Sequence, residues 1–114
     1  MRLILSCLLM LTSCRAESPA SREPVVLTYY YLKFCSFCQG VKATVETMPS
    51  QYPGQLTVRT VEHLEPEGVA AVKRYDFKRH GLVITRGDEV LFRQPDHRVE
   101  VEQVRLALAR LVRP

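Results

Sequence analysis

Two cysteines separated by two residues are the part of this sequence with the clearest chemical reactivity. Cys35 and Cys38 enclose Ser36 and Phe37. A disulfide across so short a loop constrains the unfolded chain very little, so a purely structural bridge would add little stability there. The spacing is instead typical of a redox pair or of two metal ligands. Both kinds of chemistry are open from the spacing alone.

The residues around the pair predict a strand followed by a helix. Residues 25–32 form a continuous β-branched and aromatic run, as expected for a central strand covered on both faces. From Cys38 to Met48, apolar residues recur every three or four positions, which predicts a helix. Cys35 would then lie where the helix begins, and free backbone N–H groups there favour a thiolate. Cys38, one turn later, would point toward the core.

The remaining sequence predicts further elements in the order strand, helix, two strands and helix. They are residues 56–61, a helix opening at Pro66 with Val69, Val72 and Tyr75 on its apolar side, residues 81–85, residues 89–93, and a helix with Val101, Val104, Leu108 and Leu111 on one face. The whole order, β-α-β-α-β-β-α, predicts an α/β three-layer sandwich with a mixed sheet. The first two strands should be parallel, because a helix joins them, and the last two should form a hairpin.

This order, with the cysteine pair at the first strand–helix junction, resembles the thioredoxin family over residues 25–112. The resemblance implies a thiol-disulfide oxidoreductase with Cys35 as the nucleophile and Cys38 as the resolving thiol. It implies no cofactor beyond the redox-active disulfide, and protein thiols or disulfides as partners. Lys33 would add positive potential beside Cys35. We expect a monomer.

Two positions depart from the family's pattern. Thioredoxins carry a buried acidic residue in the first strand, where this chain has Tyr29. They also carry a cis-proline just before the third strand, where this chain has His80, followed by Gly81. His80 and Gly81 are therefore candidates, with Lys33, for tuning the cysteine pair or contacting a substrate.

The departures leave two alternatives to an oxidoreductase. If His80 lies near both sulfurs, then Cys35, Cys38 and His80 would make a site suited to Cu(I) or Zn²⁺. If the missing proline abolishes turnover, the chain would be a non-catalytic adaptor that keeps the fold. The two other histidines, His63 and His97, are interpreted as structural or solvated.

The start of the chain predicts export and lipid anchoring. Arg2 precedes an apolar run, Leu3 to Leu11, that is shorter than the roughly 20 residues a spanning helix needs and is typical of a signal peptide. Residues 11–14, Leu-Thr-Ser-Cys, resemble the bacterial lipobox, which implies cleavage before Cys14 and its lipidation. A plain signal peptide with a chance cysteine is the alternative.

These features divide the chain into three parts. Residues 1–13 would be the signal peptide, and Cys7 would leave with it. Residues 14–24 would be a lipid-anchored flexible tether, and residues 25–114 a single domain. The predicted location is a membrane-anchored, periplasm-facing lipoprotein. The outer membrane is favoured because the residue after Cys14 is not the aspartate associated with inner-membrane retention.

Length and charge fit this interpretation. The chain has 114 residues and a net charge of +4, within the range of one small domain. Its Lys and Arg residues are spread along the sequence, and no zinc-finger or RNA-binding signature occurs. Nucleic-acid binding is therefore not predicted.

Overall fold

The computed structural model describes residues 23–96 and 98–112. Outside these residues lie the predicted signal peptide, the lipidation site at Cys14 and most of the tether. His97, interpreted above as structural or solvated, lies outside them as well. Within them, no helix has both the length and the apolar character needed to cross a membrane.

The described residues form a four-stranded sheet with three α-helices. The elements are β1 (Val25–Tyr31), α1 (Ser36–Glu46), β2 (Leu56–Glu62), α2 (Pro66–Arg74), β3 (Leu82–Arg86), β4 (Glu89–Gln94) and α3 (Val101–Leu111), with a short 3-10 turn at Met48–Gln51 after α1. The strand order is β2-β1-β3-β4. β1 and β2 are parallel, whereas β1 and β3, and β3 and β4, are antiparallel. The predicted α/β fold with a mixed sheet is confirmed.

Alternation along β1 separates two apolar clusters, one on each face of the sheet. Leu27 and Tyr29 face the larger cluster, which contains the buried side chains of α1 and α3. Tyr30 faces the smaller cluster, which includes Ala71 of α2 and Phe77. Because both faces of β1 are covered, the sheet is the middle of three layers, and β1 is the strand from which the site is built.

Helix α2 packs through small residues rather than through Val69. Gly68 and Ala71 are its buried residues, and Val69 is 57% exposed. A β-carbon at Gly68 would lie 2.6 Å from the carbonyl oxygen of Glu62, so the helix backbone rests directly on the end of β2. The prediction that Val69 contributes to the packed side was wrong because this close approach turns it outward.

A second close approach fixes the start of β3. The carbonyl oxygen of Gly81 accepts a hydrogen bond from Tyr30 N at 2.9 Å, which extends the β1–β3 pairing. A β-carbon at Gly81 would overlap the carbonyl oxygen of Gln94 and press on the ring of Phe77. Gly81 therefore lets β4 lie against the chain beside His80, and this holds His80 in place.

We expect Gly81→Ala to lower the free energy of unfolding by about 1–3 kcal/mol, because backbone atoms must move to admit the methyl group. Gly40→Ala is the matched control, since Gly40 lies within α1 with no atom close to an added β-carbon. That change should raise the free energy of unfolding by roughly 0.5–1 kcal/mol. Urea unfolding followed by circular dichroism measures both, and equal effects of the two substitutions would contradict the packing described for Gly81.

Candidate active site

Cys35 is the N-cap residue of α1, as predicted. Its backbone is extended, and its Sγ accepts a hydrogen bond from the backbone N–H of Cys38 at 3.1 Å. The first turn of α1 contains no acidic residue, so no carboxylate there would repel a thiolate on Cys35. Cys35 is partly exposed. An anion on this sulfur is therefore stabilised by an N–H donor and by the helix end while it stays open to a partner.

Cys38 lies behind Cys35 in the core. Its side chain is fully buried, and its Sγ is 3.5 Å from Nε2 of His80, which is fully buried as well. Burial raises the pKa of the Cys38 thiol, and the neighbouring Cys35 thiol raises it further. Cys38 thus stays protonated to a higher pH than an ordinary cysteine, as suits a thiol that acts second.

Tyr29 occupies the place where the family resemblance would put a buried acid. Its side chain is fully buried in the larger cluster. Burial raises the pKa of its phenol far above the ordinary value, and contact with Cys38 raises it further. The phenol is therefore neutral at physiological pH. It fills the volume next to the sulfurs without supplying a base.

His80 meets a second histidine that the sequence analysis did not assign to the site. The rings of His63 and His80 are 5.9 Å apart between centroids. His63 Nδ1 is 3.6 Å from a carboxylate oxygen of Glu62. Its backbone N–H donates to Tyr31 O at 2.8 Å, which continues the β1–β2 pairing by one residue. The parallel pairing of these strands is the signal that could have found His63, because their carboxyl ends meet at one edge of the sheet.

A cleft of about 430 Å³ opens beside Cys35. It is lined by Leu32, Lys33, Phe34, Cys35, Glu62, His63 and Leu64. Phe34 is 94% exposed and Leu64 is 68% exposed, so Cys35 is flanked by apolar side chains that face solvent. Lys33 Nζ lies 5.6 Å from the centroid of the Phe34 ring. Lys33 therefore brings a positive charge to the edge of the site, while Gly81 acts only through the backbone.

The predicted site residues do not all converge on one point. Among residues 23–96 and 98–112, no group of three or more His, Cys, Asp or Glu side chains is arranged to hold a metal ion. The structure brings Cys38 and His80 together. In the described residues, Cys35 does not join them in a three-ligand metal site. The copper or zinc alternative stays a prediction.

Comparison with solved structures places this geometry in a known fold. The germline-specific thioredoxin Deadhead from Drosophila melanogaster superposes with a TM-score of 0.66, with 18% identity over 82% of this chain and 86% of that one. Thioredoxin O2 from Arabidopsis thaliana in the oxidized state gives a TM-score of 0.65, with 15% identity over 82% and 84% of the two chains. The chain has a thioredoxin fold. Fasciola hepatica thioredoxin is similar too, with a TM-score of 0.63, 16% identity and coverage of 79% and 83%.

Sequence comparison adds nothing to this likeness. No protein-family model matches the chain, and no curated protein matches it. Within the thioredoxin fold, the Cys-x-x-Cys pair is retained at the start of α1, and the described residues contain no cis peptide bond. The fold is therefore shared with these thioredoxins.

We expect one equivalent of iodoacetamide to alkylate Cys35 and to spare Cys38 in the reduced protein. Cys35 is partly exposed and accepts a hydrogen bond, whereas burial holds Cys38 as a thiol. Peptide mass spectrometry of the singly modified protein measures the distribution. Cys35→Ser is the control and should leave Cys38 slow to react. Equal labelling of the two sulfurs would contradict their opposite environments.

Proposed function

We propose that this chain is a thiol-disulfide oxidoreductase in which Cys35 is the nucleophile and Cys38 the resolving thiol. One observation carries the proposal. The Sγ of Cys35 accepts the Cys38 N–H at the start of a helix and is open to solvent, and the second thiol is buried directly behind it. This arrangement suits an accessible sulfur that attacks a disulfide and a second, protected sulfur that resolves the mixed disulfide.

The reaction follows from these positions. The Cys35 thiolate attacks a disulfide of the partner, forming a mixed disulfide and releasing one partner thiolate, which takes a proton from water. Cys38 then loses its proton and attacks the Cys35 sulfur. The Cys35–Cys38 disulfide forms, and the second partner thiolate leaves. The partner gains two electrons and the cysteine pair loses two. The reverse sequence would oxidise a partner dithiol.

Proteins are the substrates we propose for this site. Phe34 and Leu64 present apolar surface on either side of the cleft, and Phe37, 43% exposed, extends it along α1. Arg98 lies above the Phe37 ring, with its guanidinium carbon 5.5 Å from the centroid. A partner segment with apolar side chains next to its disulfide would cover this surface. We expect the chain to act on protein thiols and disulfides, as a monomer, and not on nucleic acid.

Insulin reduction tests the proposed chemistry. With dithiothreitol as the electron source, the wild-type chain should accelerate precipitation of the insulin B chain. Cys35→Ser should reduce the rate to that of dithiothreitol alone, because the attacking sulfur is lost. Cys38→Ser that has been reduced, freed of dithiothreitol and mixed with insulin should instead accumulate a mixed disulfide with the substrate, visible as a mass adduct on Cys35. A fully active Cys35→Ser variant would overturn the proposal.

The same assay separates the enzyme from the adaptor alternative. An adaptor would bind partner proteins and show no acceleration in the wild type, and neither cysteine variant would change the rate. Wild-type activity that depends on Cys35 excludes the adaptor.

We further propose that the domain works at the cell envelope, anchored through Cys14. The support is the sequence of the first 24 residues. In this proposal residues 1–13 are the signal peptide, residues 14–24 are the tether, and the domain of residues 25–114 faces the periplasm, with the outer membrane favoured. An oxidising compartment is where a redox-active pair finds protein disulfides to exchange with.

Cys14→Ser should release the protein from the membrane fraction, because the lipid chains are what hold it there. Metabolic labelling with radioactive palmitate and ultracentrifugation of a bacterial host expressing the full chain measure lipidation and partition. Cys7→Ser is the matched control and should change neither. Label and membrane partition that persist in Cys14→Ser would contradict the lipobox interpretation.

A further inference from the structure

We propose that His80 is a catalytic base that takes the proton from Cys38 when Cys38 resolves the mixed disulfide. The inference rests on the proposed function and adds to it the group that handles the proton. It assigns His80 a chemical step in place of a purely structural role.

The resolving step needs a base close to Cys38. Only a thiolate attacks a disulfide at a useful rate. Burial raises the pKa of Cys38, so few molecules carry the thiolate at neutral pH. Cys38 is also sealed from solvent, with no exposed surface, so bulk water does not reach its proton. The proton must pass to a side chain that touches the sulfur.

In the described part of the chain, His80 is the basic side chain in contact with that sulfur. Nε2 of His80 lies 3.5 Å from Cys38 Sγ, within range of an S–H···N hydrogen bond. A neutral imidazole with its proton on Nδ1 accepts at Nε2. Tyr29, the other titratable group next to Cys38 from within the core, is held as a neutral phenol by burial and cannot take the proton.

The proposed step balances without any added reagent. The Cys38 S–H proton moves to His80 Nε2, leaving an imidazolium. The sulfur lone pair of Cys38 forms the bond to Cys35 Sγ, and the bond from Cys35 to the partner sulfur breaks with its electron pair on the partner. The imidazolium then returns its proton to the departing partner thiolate, which restores neutral His80.

The charged and titratable groups around His80 come from several elements. Cys38 faces it from α1, and Cys35 and Tyr29 both contact Cys38. At the end of β2, the His63 ring lies 5.9 Å from the His80 ring, and His63 Nδ1 lies 3.6 Å from the Glu62 carboxylate.

The test separates attack from resolution. The reduced protein is mixed with one equivalent of Ellman's reagent in a stopped-flow instrument. Release of the first thionitrobenzoate reports attack by Cys35, and release of the second, independent of protein concentration, reports resolution by Cys38. Glutamine keeps a polar contact but cannot take up a proton. We therefore expect His80→Gln to leave the first phase unchanged and to slow the second about 100-fold, within the range of roughly 10²–10⁴ for general-base catalysis.

The pH profile provides a readout that a structural role would not change. Wild-type resolution should level off with pH once His80 is neutral. In His80→Gln it should continue to rise about tenfold per pH unit toward the raised pKa of Cys38, because only the small fraction of Cys38 that is already a thiolate can then attack. Imidazole added to His80→Ala should restore the second phase. Arg79→Gln, an exposed neighbour on the same loop, is the matched control and should match the wild type in both phases.

The outcomes distinguish the two proposals. If Cys35 releases no first equivalent, the oxidoreductase proposal fails. A normal first phase with equally fast resolution in wild type and His80→Gln overturns the role of His80 alone. Should the His80 variants fail to fold, the wild-type profile still decides, because resolution that rises with pH without levelling off also overturns the proposal.

Discussion

The site depends on one constraint, which is that two sulfurs one helical turn apart must face opposite environments. β1 is hydrogen-bonded on both sides, so the point at which the chain leaves the sheet is fixed. α1 begins there and packs onto the sheet through Cys38 and the apolar residues that follow it. Cys35 therefore remains at the surface, where the N–H of Cys38 points at it, while Cys38 enters the core. The first turn of α1 thus sets both the exposure of Cys35 and the burial of Cys38.

The pairing of β1 with its neighbours also gathers the histidines. On one side of β1 the strand β2 ends at Glu62, and His63 follows. On the other side β3 begins at Leu82, and His80 precedes Gly81. The two rings thus reach the same end of the sheet from both sides of the central strand and meet next to the buried sulfur. Gly68 and Gly81 hold these segments in place, because each lets backbone atoms approach more closely than a side chain would allow.

Periodicity and local chemistry were enough to predict the element order, the helix start at Cys35 and the inward position of Cys38. These features depend on neighbouring residues along the chain, and sequence records them directly. The position of His63 was missed because it depends on how β2 pairs with β1, which is a contact between distant segments. Val69 was assigned to the wrong side of α2 because its periodicity matched a core face, while the helix contacts the sheet backbone through Gly68.

Tyr29 and His80 act on Cys38 in complementary ways. A carboxylate buried beside Cys38 would be costly to desolvate and would repel the thiolate that resolution requires. Tyr29 fills that space with a neutral ring, which removes the repulsion and also removes the base. His80 restores a base from the opposite direction. It is buried at a lower cost because imidazole is neutral until it takes the proton, and its charge then lies beside the thiolate it has created. A proline ring at that position would offer the sulfur no proton acceptor, whereas the imidazole of His80 offers Nε2 at 3.5 Å.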